Sequence, residues 1–486
     1  MRIRLPHTST RSDAGRPAYL DGYSAAQLAI IESPAPIKQV IAAAGSGKTR
    51  TVIGCLEHRL RGDSRLRAVM LSFSRRAVRE LTERLPAGLR ERVEICTFHA
   101  FCFRTLRSLA PERRLRIFGI EDRRAFLNEA LREGTDARQL RDAIGGVPYD
   151  LLFADRTSFA REQPEAAALF FARFAEYKTR HGLYEYDDLV AEVLAGLREN
   201  DPLLRARLTR YGLVIVDEFQ DTDPEQLEFL QRLDPPELTV VGDDWQAIYA
   251  FRGATIEPFL NFRRVFRSAA VFRLAENYRS LPAIVRQGNR LIRASRRQLR
   301  KRVRAVREQQ RGLPVLRVSP ERPGPNSHSH SCAEIEAQWR ARLERLIGER
   351  ADQVMILTRT NFRRQRWLSA GFCEDQVLTV HRAKGLEFPV VCVDLLGGWS
   401  EAAAGQRRRE GEASAPADEE IRILYVAASR AENLLLFLYE PAAGQGSPER
   451  WFAERFLYAR GVRALSSRPA RASRDELGGY LNRAIG

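Results

Sequence analysis

The feature that most constrains the fold is a glycine-rich turn between a short apolar segment and a helical one. Residues 39–42 (QVIA) indicate a buried strand, residues 42–49 read AAAGSGKT, and helical spacing follows from about Thr49. In such a turn the glycines let successive backbone N–H groups point at phosphate oxygens, Lys48 supplies a positive charge, and the Thr49 hydroxyl is a ligand for Mg²⁺. The residues predicted to surround the phosphates are Ala44, Gly45, Ser46, Gly47, Lys48, Thr49 and Arg50.

Ala42 stands where the general pattern of this turn has glycine, so the alternative is a chance glycine-rich turn. The chain has only five lysines among its 79 basic residues, and one of them occupies this position. Lys48 therefore weighs against the chance interpretation.

A second apolar segment ends in two adjacent carboxylates. Residues 213–216 (LVIV) indicate a buried strand, which Asp217 and Glu218 follow directly. This arrangement is needed to hold Mg²⁺ and to polarise an attacking water, so we expect Asp217 to hold the metal and Glu218 to act as the base. A solvated acidic loop is the lesser alternative, because four apolar residues come immediately before the pair. Together the two motifs predict hydrolysis of a nucleoside triphosphate.

Short apolar segments bounded by polar residues recur along the chain and alternate with helical segments. Such segments are typical of parallel strands covered by helices on both faces, so the sequence predicts an α/β fold with two parallel sheets. Residues 105–181 have helical spacing and little strand signal, which indicates a helical insertion in the first sheet domain. The further predicted strands are 68–73, 93–97, 238–241, 354–358, 377–380, 390–395 and 434–438.

Composition adds weaker constraints. A net charge of +17 favours a polyanionic partner such as nucleic acid, although a base bias of the genome explains an arginine-rich chain equally well. The six cysteines show no paired CxxC spacing, which argues against a zinc site and a disulfide framework. No apolar run of about eighteen residues and no apolar signal segment occur, so we expect a cytoplasmic protein with no membrane contact.

Several further segments occur in one fixed order. They are Gln27, residues 72–77 (SFSRRA), 97–100 (TFHA), 241–254 (VGDDWQAIYAFRGA), 276–280 (ENYRS), 379–388 (TVHRAKGLEF) and 425–431 (YVAASRA). With the two motifs above, they resemble the UvrD/Rep family of superfamily 1 helicases over most of the chain. The resemblance implies two RecA-like motor domains with ATP and Mg²⁺ at their interface, and ATP-driven 3′ to 5′ movement along single-stranded DNA.

The resemblance also implies roles for individual residues. Gln27 reads the adenine, Tyr278 packs on it, and Glu387 belongs to the motif that links the DNA backbone to the nucleotide. The implied catalytic set is Glu218, Lys48, Gln246, Arg279 and Arg430, with Gln246 sensing the γ-phosphate and Arg430 as the arginine finger. The implied nucleic-acid-binding residues are Phe73, Arg75, Thr97, His99, Tyr249, Phe251, Arg252, Thr379 and His381. Phe251 stands where the family commonly has tryptophan.

The predicted domain limits follow from these assignments. We expect a flexible tail at 1–18, a first motor domain at 19–104 and 182–273, the helical insertion at 105–181, a second motor domain at 274–465 and a C-terminal tail at 466–486. Residues 319–331 and 400–417 indicate surface loops, and a metal site at His328, His330 and Cys332 is disfavoured because no fourth ligand has suitable spacing.

The accessory domain that larger family members carry in the second motor domain is expected to be missing, because only about seventeen residues separate Asn361 from Thr379. This leaves room for a protein partner that supplies unwinding or nuclease activity. Two alternatives stay open: an ATP-driven nucleoprotein remodeller or defence-system subunit that translocates without strong unwinding, and an ATP-dependent binding switch. RNA is a less favoured substrate than DNA.

Overall fold

The computed structural model describes residues 16–132, 136–144, 153, 156–309, 315–318, 332–399, 415–439, 452, 456–457, 462–465 and 476–485. The predicted N-terminal tail lies almost wholly outside the described residues. So do the predicted loop 319–331 with His328 and His330, the side chain of Cys332, and most of the predicted loop 400–417.

The chain divides into two compact units. The sheet unit comprises Met1–Glu94, Leu213–Asp223 and Pro236–Gly486, and the helical unit comprises Ile95–Gly212 and Pro224–Pro235. The domain limits given by the sequence stay a prediction.

The first sheet carries the two motifs identified above, and all of it except residues 95–97 belongs to the sheet unit. Its strands are β1 (Ile37–Ala42), β2 (Ala68–Ser72), β3 (Val93–Thr97), β6 (Leu213–Val216), β7 (Glu237–Gly242) and β8 (Ala270–Leu274), in the order β3-β2-β6-β7-β1-β8. The pairings of β2 with β6, β6 with β7, β7 with β1 and β1 with β8 are all parallel. The central strands are apolar and buried on both faces, as expected of a covered parallel sheet. The segments after β1, β6 and β7 therefore meet at one edge.

A second parallel sheet lies in the same unit. Its strands are β11 (Val315–Val318), β12 (Val354–Thr358), β13 (Val377–Thr379), β14 (Phe388–Leu395), β15 (Ala431–Tyr439) and β16 (Val462–Leu465), in the order β13-β12-β14-β15-β11-β16. A two-residue ladder joins β9 (Glu276–Asn277) to β10 (Arg304–Ala305). The predicted α/β fold with two RecA-like parallel sheets is confirmed.

One apolar core in the sheet unit includes residues that follow strands of both sheets. Trp245, beyond β7, packs edge-on against Tyr425 with 5.4 Å between ring centroids, and both are almost fully buried. Ala43, Val380 and Val393 belong to the same cluster. Burying such aromatic and aliphatic surface stabilises the contact between the two sheets.

Helices cover both sheets. The helices of the sheet unit are α1 (Ala25–Ile31), α2 (Lys48–Gly62), α3 (Arg75–Arg84), α12 (Glu257–Leu260), α13 (Phe262–Val265), α14 (Pro282–Ile292), α15 (Cys332–Ile347), α16 (Asn361–Ser369), α17 (Val380–Ala383), α18 (Ala415–Ala428) and α19 (Glu476–Ile485). The stretch predicted as a C-terminal tail contains α19, whose Leu477 and Leu481 are buried in the core of the second sheet. No described helix is long and apolar enough to span a membrane.

The helical unit has an aromatic core. Its helices are α4 (Phe98–Leu109), α5 (Ile120–Arg132), α6 (Asp136–Ile144), α7 (Arg156–Glu162), α8 (Pro164–His181), α9 (Tyr186–Arg198), α10 (Pro202–Leu208) and α11 (Pro224–Leu233), and its short strands are β4 (Arg116–Ile117) and β5 (Leu183–Tyr184). Phe170 and Phe174, one turn apart on α8, pack against Phe126 of α5. Gly182, at φ +61°, ends α8 in the left-handed conformation that glycine favours.

Candidate functional site

The phosphate loop lies between β1 and α2 at the carboxyl edge of the first sheet. Gly45 and Gly47 have φ values of +66° and +79°, in the left-handed region that residues with a side chain rarely adopt. A Cβ at Gly45 would lie 2.7 Å from the Cβ of Arg279, and a Cβ at Gly47 would lie 2.7 Å from Gln27 Nε2. Both positions therefore require glycine, and the start of α2 offers the backbone N–H groups of a helix N-terminus to an anion.

The loop lysine contacts one of the two carboxylates that follow β6. Lys48 Nζ lies 2.8 Å from Glu218 Oε1, and both side chains are largely buried. Burial acts to raise the pKa of Glu218, but the positive charges of Lys48 and Lys384 outweigh it and lower this pKa to about 2. Glu218 is therefore ionised at neutral pH and held beside the phosphate loop.

The second carboxylate, Asp217, has the properties expected of a cation ligand. Its Oδ1 atom is buried and has no hydrogen-bond partner among the described residues. Burial and the negative charge of Glu218 raise the pKa of Asp217 to about 7, so a cation beside it would relieve an unfavourable charge. The Thr49 hydroxyl and a carboxylate oxygen are hard oxygen ligands of the kind that Mg²⁺ prefers, so these two residues fit the metal.

A chain of hydrogen bonds leads from Glu218 to the end of β7. Gln220 Nε2 donates to Glu218 Oε2 at 2.6 Å, and the backbone N–H of Asp243 donates to Gln220 Oε1 at 2.8 Å. Gln220 and Asp243 are both almost completely buried. The amide of Gln220 therefore ties the segment after β6 to the segment after β7.

The same chain continues to the second sheet. Gln246 Nε2 donates to Asp243 Oδ2 at 2.6 Å, and Arg430 Nη2 donates to Gln246 Oε1 at 2.7 Å. Five hydrogen bonds thus connect Lys48 on the first sheet to Arg430, which comes directly before β15 of the second. The two residues predicted to grip a triphosphate from opposite sides belong to one continuous polar network.

Arg430 is held rigidly. It is 1% exposed, and it also donates to the carbonyl oxygens of Val426 and Leu386 and to the Ser429 hydroxyl. Burial, and then the positive charge of Arg279, lower the pKa of Arg430 to about 9. The positive charges of Arg279 and the buried Arg430 repel each other, so a phosphate near both would stabilise the pair.

The segment that contains β9 contacts the phosphate loop directly. The backbone N–H of Tyr278 donates to the carbonyl oxygen of Gly45 at 2.9 Å, and Asn277 Nδ2 donates to that of Ala44 at 2.8 Å. The side chain of Arg279 donates to Glu387 Oε2 at 2.6 Å. Tyr278, Arg279 and Glu387 are therefore neighbours of the loop, as the nucleotide roles implied by the resemblance require.

Gln27, which the resemblance assigns to the adenine, also lies beside the loop. Gln27 and Ser24 form a capping box at the start of α1. Gln27 Nε2 lies 3.5 Å from the carbonyl oxygen of Ser46. The guanidinium of Arg50 stacks 4.5 Å from the ring centroid of Tyr23. The structure thus gathers every residue of the predicted nucleotide site within the sheet unit.

Lys301, which belongs to none of the sequence motifs, is a buried cation within this site. Its ammonium contacts Asp243 and lies 2.7 Å from Asp244 Oδ1 and 3.1 Å from the carbonyl oxygen of Ala42. The three charged side chains are at most 1% exposed. Lys301 neutralises one carboxylate oxygen of Asp243, and Gln246 donates to the other. Lys301 therefore helps to fix the side-chain amide of Gln246, which accepts a hydrogen bond from Arg430. The chain has only five lysines, and this rarity is the one sequence signal that could have drawn attention to Lys301.

We expect Lys301→Met to destabilise the fold by about 3–5 kcal/mol, because it leaves the Asp243 and Asp244 carboxylates buried without a cation. Denaturant unfolding measures the loss. Lys178→Met is the matched control, since Lys178 also contacts two carboxylates but those of Glu185 and Asp188 are partly exposed. Equal losses in the two variants would contradict this role for Lys301.

Three predicted nucleic-acid contacts form an aromatic cluster. The ring centroid of His381 lies 5.2 Å from that of Phe251 and 6.0 Å from that of Tyr249. Phe251 is 60% exposed, which is unusual for so large an apolar side chain and leaves its ring accessible. Lys384 stacks on Tyr249 and also contacts Asp221, so this cluster is linked to the carboxylates after β6.

The other residues predicted to bind nucleic acid lie outside the aromatic cluster. Thr379 caps α17 by accepting from the N–H of Arg382, whereas the side chain of Arg252 lies outside the described part of the structure. Phe73 and Arg75 lie at the carboxyl end of β2 in the sheet unit. Two further residues belong to the helical unit: Thr97, which caps α4, and His99, whose ring lies 5.3 Å from that of Tyr186.

Two parallel sheets, a phosphate loop with paired carboxylates on the first and a buried arginine from the second define a two-domain P-loop NTPase. Sequence comparison gives the family: a model of the UvrD/REP helicase N-terminal domain matches residues 23–267, and one of the UvrD-like helicase C-terminal domain matches residues 374–441. The chain belongs to the UvrD/Rep family of ATP-hydrolysing helicases.

Three relatives illustrate the similarity. The chain is 29% identical to the putative ATP-dependent DNA helicase YjcD of Bacillus subtilis, and the match covers 59% of this chain and 40% of the relative. It is 31% identical to the ATP-dependent DNA helicase UvrD2 of Mycobacterium tuberculosis, where the match covers 66% of this chain and 50% of the relative. It is 26% identical to a probable DNA helicase of Mycoplasma pneumoniae over 83% of its length and 80% of the relative's. The chain thus spans half or less of the first two relatives.

Proposed function

We propose that this chain is an ATP-dependent DNA helicase that couples ATP hydrolysis to 3′ to 5′ movement along single-stranded DNA. One observation carries the proposal: the continuous hydrogen-bond chain from Lys48 on the first sheet to Arg430 on the second. A triphosphate that engages both residues changes the charge at both ends of this chain. Binding and hydrolysis would therefore alter how tightly the two sheets are joined.

Each protein group has a distinct part in this mechanism. Lys48 leaves Glu218 for the phosphates, which are its stronger electrostatic partner, and Glu218 then accepts a proton from the attacking water. Mg²⁺, held by Thr49 and Asp217, would neutralise charge that develops on the phosphates. Arg279 and Arg430 stabilise the charge of the transferred phosphoryl group from the second sheet.

The exposed aromatic cluster supports a single-stranded substrate. The exposed ring of Phe251, beside Tyr249 and His381, offers a face on which a base can stack without sequence readout, at about 1–3 kcal/mol per base. Lys384 joins this cluster to Asp221 and, through its bond to the carbonyl oxygen of Gln246, to the nucleotide network. Closure around the nucleotide would therefore move the stacking surface.

ATP turnover in the presence of single-stranded DNA, single-stranded RNA and duplex DNA tests the proposal. We expect single-stranded DNA to stimulate turnover most strongly. Lys48→Ala should abolish turnover on every substrate because it removes the charge that binds the phosphates. Turnover that is indifferent to nucleic acid would contradict a DNA motor and favour a nucleotide-dependent switch.

Direction and unwinding need a second assay. Partial duplexes with a 3′ or a 5′ single-stranded tail measure both, and we expect displacement from the 3′ tail only. Because the accessory domain is expected to be missing, displacement by the chain alone should be weak relative to its ATP turnover and should rise with a partner protein. Vigorous unwinding by the monomer would contradict that expectation. Action on DNA is consistent with the cytoplasmic location expected from the sequence.

A further inference from the structure

A stretch of the second half of the chain is strongly basic. Residues 277–307 contain ten arginines, one lysine and no acidic residue. At the chain's average of 62 acidic residues in 486, about four would be expected among 31. An arginine-rich composition explains the arginines of this stretch, but it does not explain why the acidic residues are missing.

The stretch folds into one surface feature. Its first part is α14, whose apolar side chains are buried, while Arg286 of the helix and Arg293, the residue that caps its C-terminus, are exposed. The chain then folds back along this helix, because Asn289 Nδ2 donates to the carbonyl oxygen of Val303 at 2.8 Å. Exposed arginines before and after Val303 are thereby held beside those of the helix.

Six exposed arginines make up this surface, and we call it the arginine strip. None of them forms an ion pair with an acidic residue in the described part of the chain. Some other surface arginines are paired with acidic residues, as the i,i+4 pairs of Arg61 with Glu57 and Arg84 with Glu80 illustrate. The positive charge of the strip is therefore not neutralised by acidic residues of the described part of the chain. Its members are Arg286, Arg293, Arg296, Arg300, Arg302 and Arg304.

The backbone beneath the strip is fixed to the motor site. Lys301 is anchored on Asp243, Asp244 and the end of β1. The carboxylate of Asp418 accepts from the backbone N–H groups of Arg296 and Arg297 at 3.0 Å each. Because the backbone is already ordered, little conformational entropy is lost when the arginines engage a ligand.

We propose that the arginine strip binds the phosphate backbone of duplex DNA. Charge complementarity selects a polyanion, and residues 279–307 contain no aromatic side chain on which an unpaired base could stack. The strip thus differs from the aromatic cluster of Tyr249, Phe251 and His381. It gives the chain a duplex contact that does not depend on an accessory domain. This inference rests on the proposed function, since it supposes a motor that works at a junction of single and double strands.

The triple variant Arg286→Gln, Arg293→Gln and Arg296→Gln tests the inference in the full chain. Affinity for a blunt duplex and for a single-stranded oligonucleotide is measured across a salt series. Each duplex phosphate contact contributes about 0.9 to the slope of log affinity against log salt concentration. We expect the duplex slope to become shallower by roughly 2 to 3 and the single-strand slope to stay unchanged.

The control variant Arg61→Gln, Arg84→Gln and Arg124→Gln removes the same charge from arginines that are paired with neighbouring carboxylates. Its duplex slope should match that of the unmodified chain. Equal slope changes in both variants, a change confined to single strands, or no measurable duplex affinity in the unmodified chain would each overturn the inference. Single-strand-stimulated ATP turnover is recorded in parallel, because its absence in the unmodified chain would count against the proposed function and not against the strip.

Discussion

Glu218→Gln is expected to lower ATP turnover by roughly 10²- to 10⁴-fold while ATP binding is retained. The amide of glutamine has nearly the shape of the carboxylate but cannot accept a proton from water. It also frees Lys48 from an ion pair at 2.8 Å, so Lys48 stays available to the phosphates. Steady-state turnover with saturating single-stranded DNA and equilibrium binding of ATP measure the two effects separately.

Glu91→Gln is the matched control, because Glu91 is an exposed glutamate of the same unit. Its turnover should equal that of the unmodified chain. Unchanged turnover in Glu218→Gln would contradict the assignment of Glu218 as the base. Loss of turnover together with loss of ATP binding would instead assign it a structural part in the phosphate loop.

Arg430→Ala is expected to lower the turnover number by about 10³- to 10⁵-fold, the range found for an arginine finger. ATP affinity should change little, because Lys48 and the loop backbone remain. The physical reason is that Arg430 reaches the nucleotide network from the second sheet through Gln246, at 2.7 Å. Single-turnover hydrolysis and ATP binding measure the effect.

Because Arg430 is buried, its removal is also expected to lower the stability of the fold. A control variant must therefore separate the loss of stability from the loss of turnover. Arg363→Ala serves, since Arg363 is likewise buried in the second-sheet region but pairs with Glu336 and Asp394, away from the phosphate loop. Breaking such a buried pair costs about 3–5 kcal/mol. Arg363→Ala should therefore unfold more easily yet keep its turnover at low temperature. Similar turnover in the two variants would contradict the finger assignment.

The central strands of the first sheet and the phosphate loop can be predicted from sequence because local rules dictate them. Residues 213–216 are all apolar and three of the four are β-branched, as is typical of a strand buried on both faces. Glycine is required at positions 45 and 47 by positive φ angles and close contacts, so these positions can be recognised directly as glycines in the sequence. The predicted roles of the site residues stay predictions, although the structure brings those of the nucleotide site together.

Other features of the fold have a weaker sequence pattern or none. The strands β8 and β16 lie at the sheet edges and contain exposed residues, so they lack the continuous apolar run that identifies a central strand. Lys301 contacts Asp243 and Asp244 across more than fifty residues of sequence. No local pattern specifies such a contact, which tertiary packing alone creates.

The account depends on one triphosphate being held from both sheets. A structure of the chain with Mg²⁺ and a non-hydrolysable ATP analogue tests this most directly. We expect Lys48 Nζ and the Arg430 guanidinium both to lie within hydrogen-bond distance, about 3 Å, of γ-phosphate oxygens. An analogue that contacts Lys48 while Arg430 keeps its bond to Gln246 and lies far from the phosphates would contradict it.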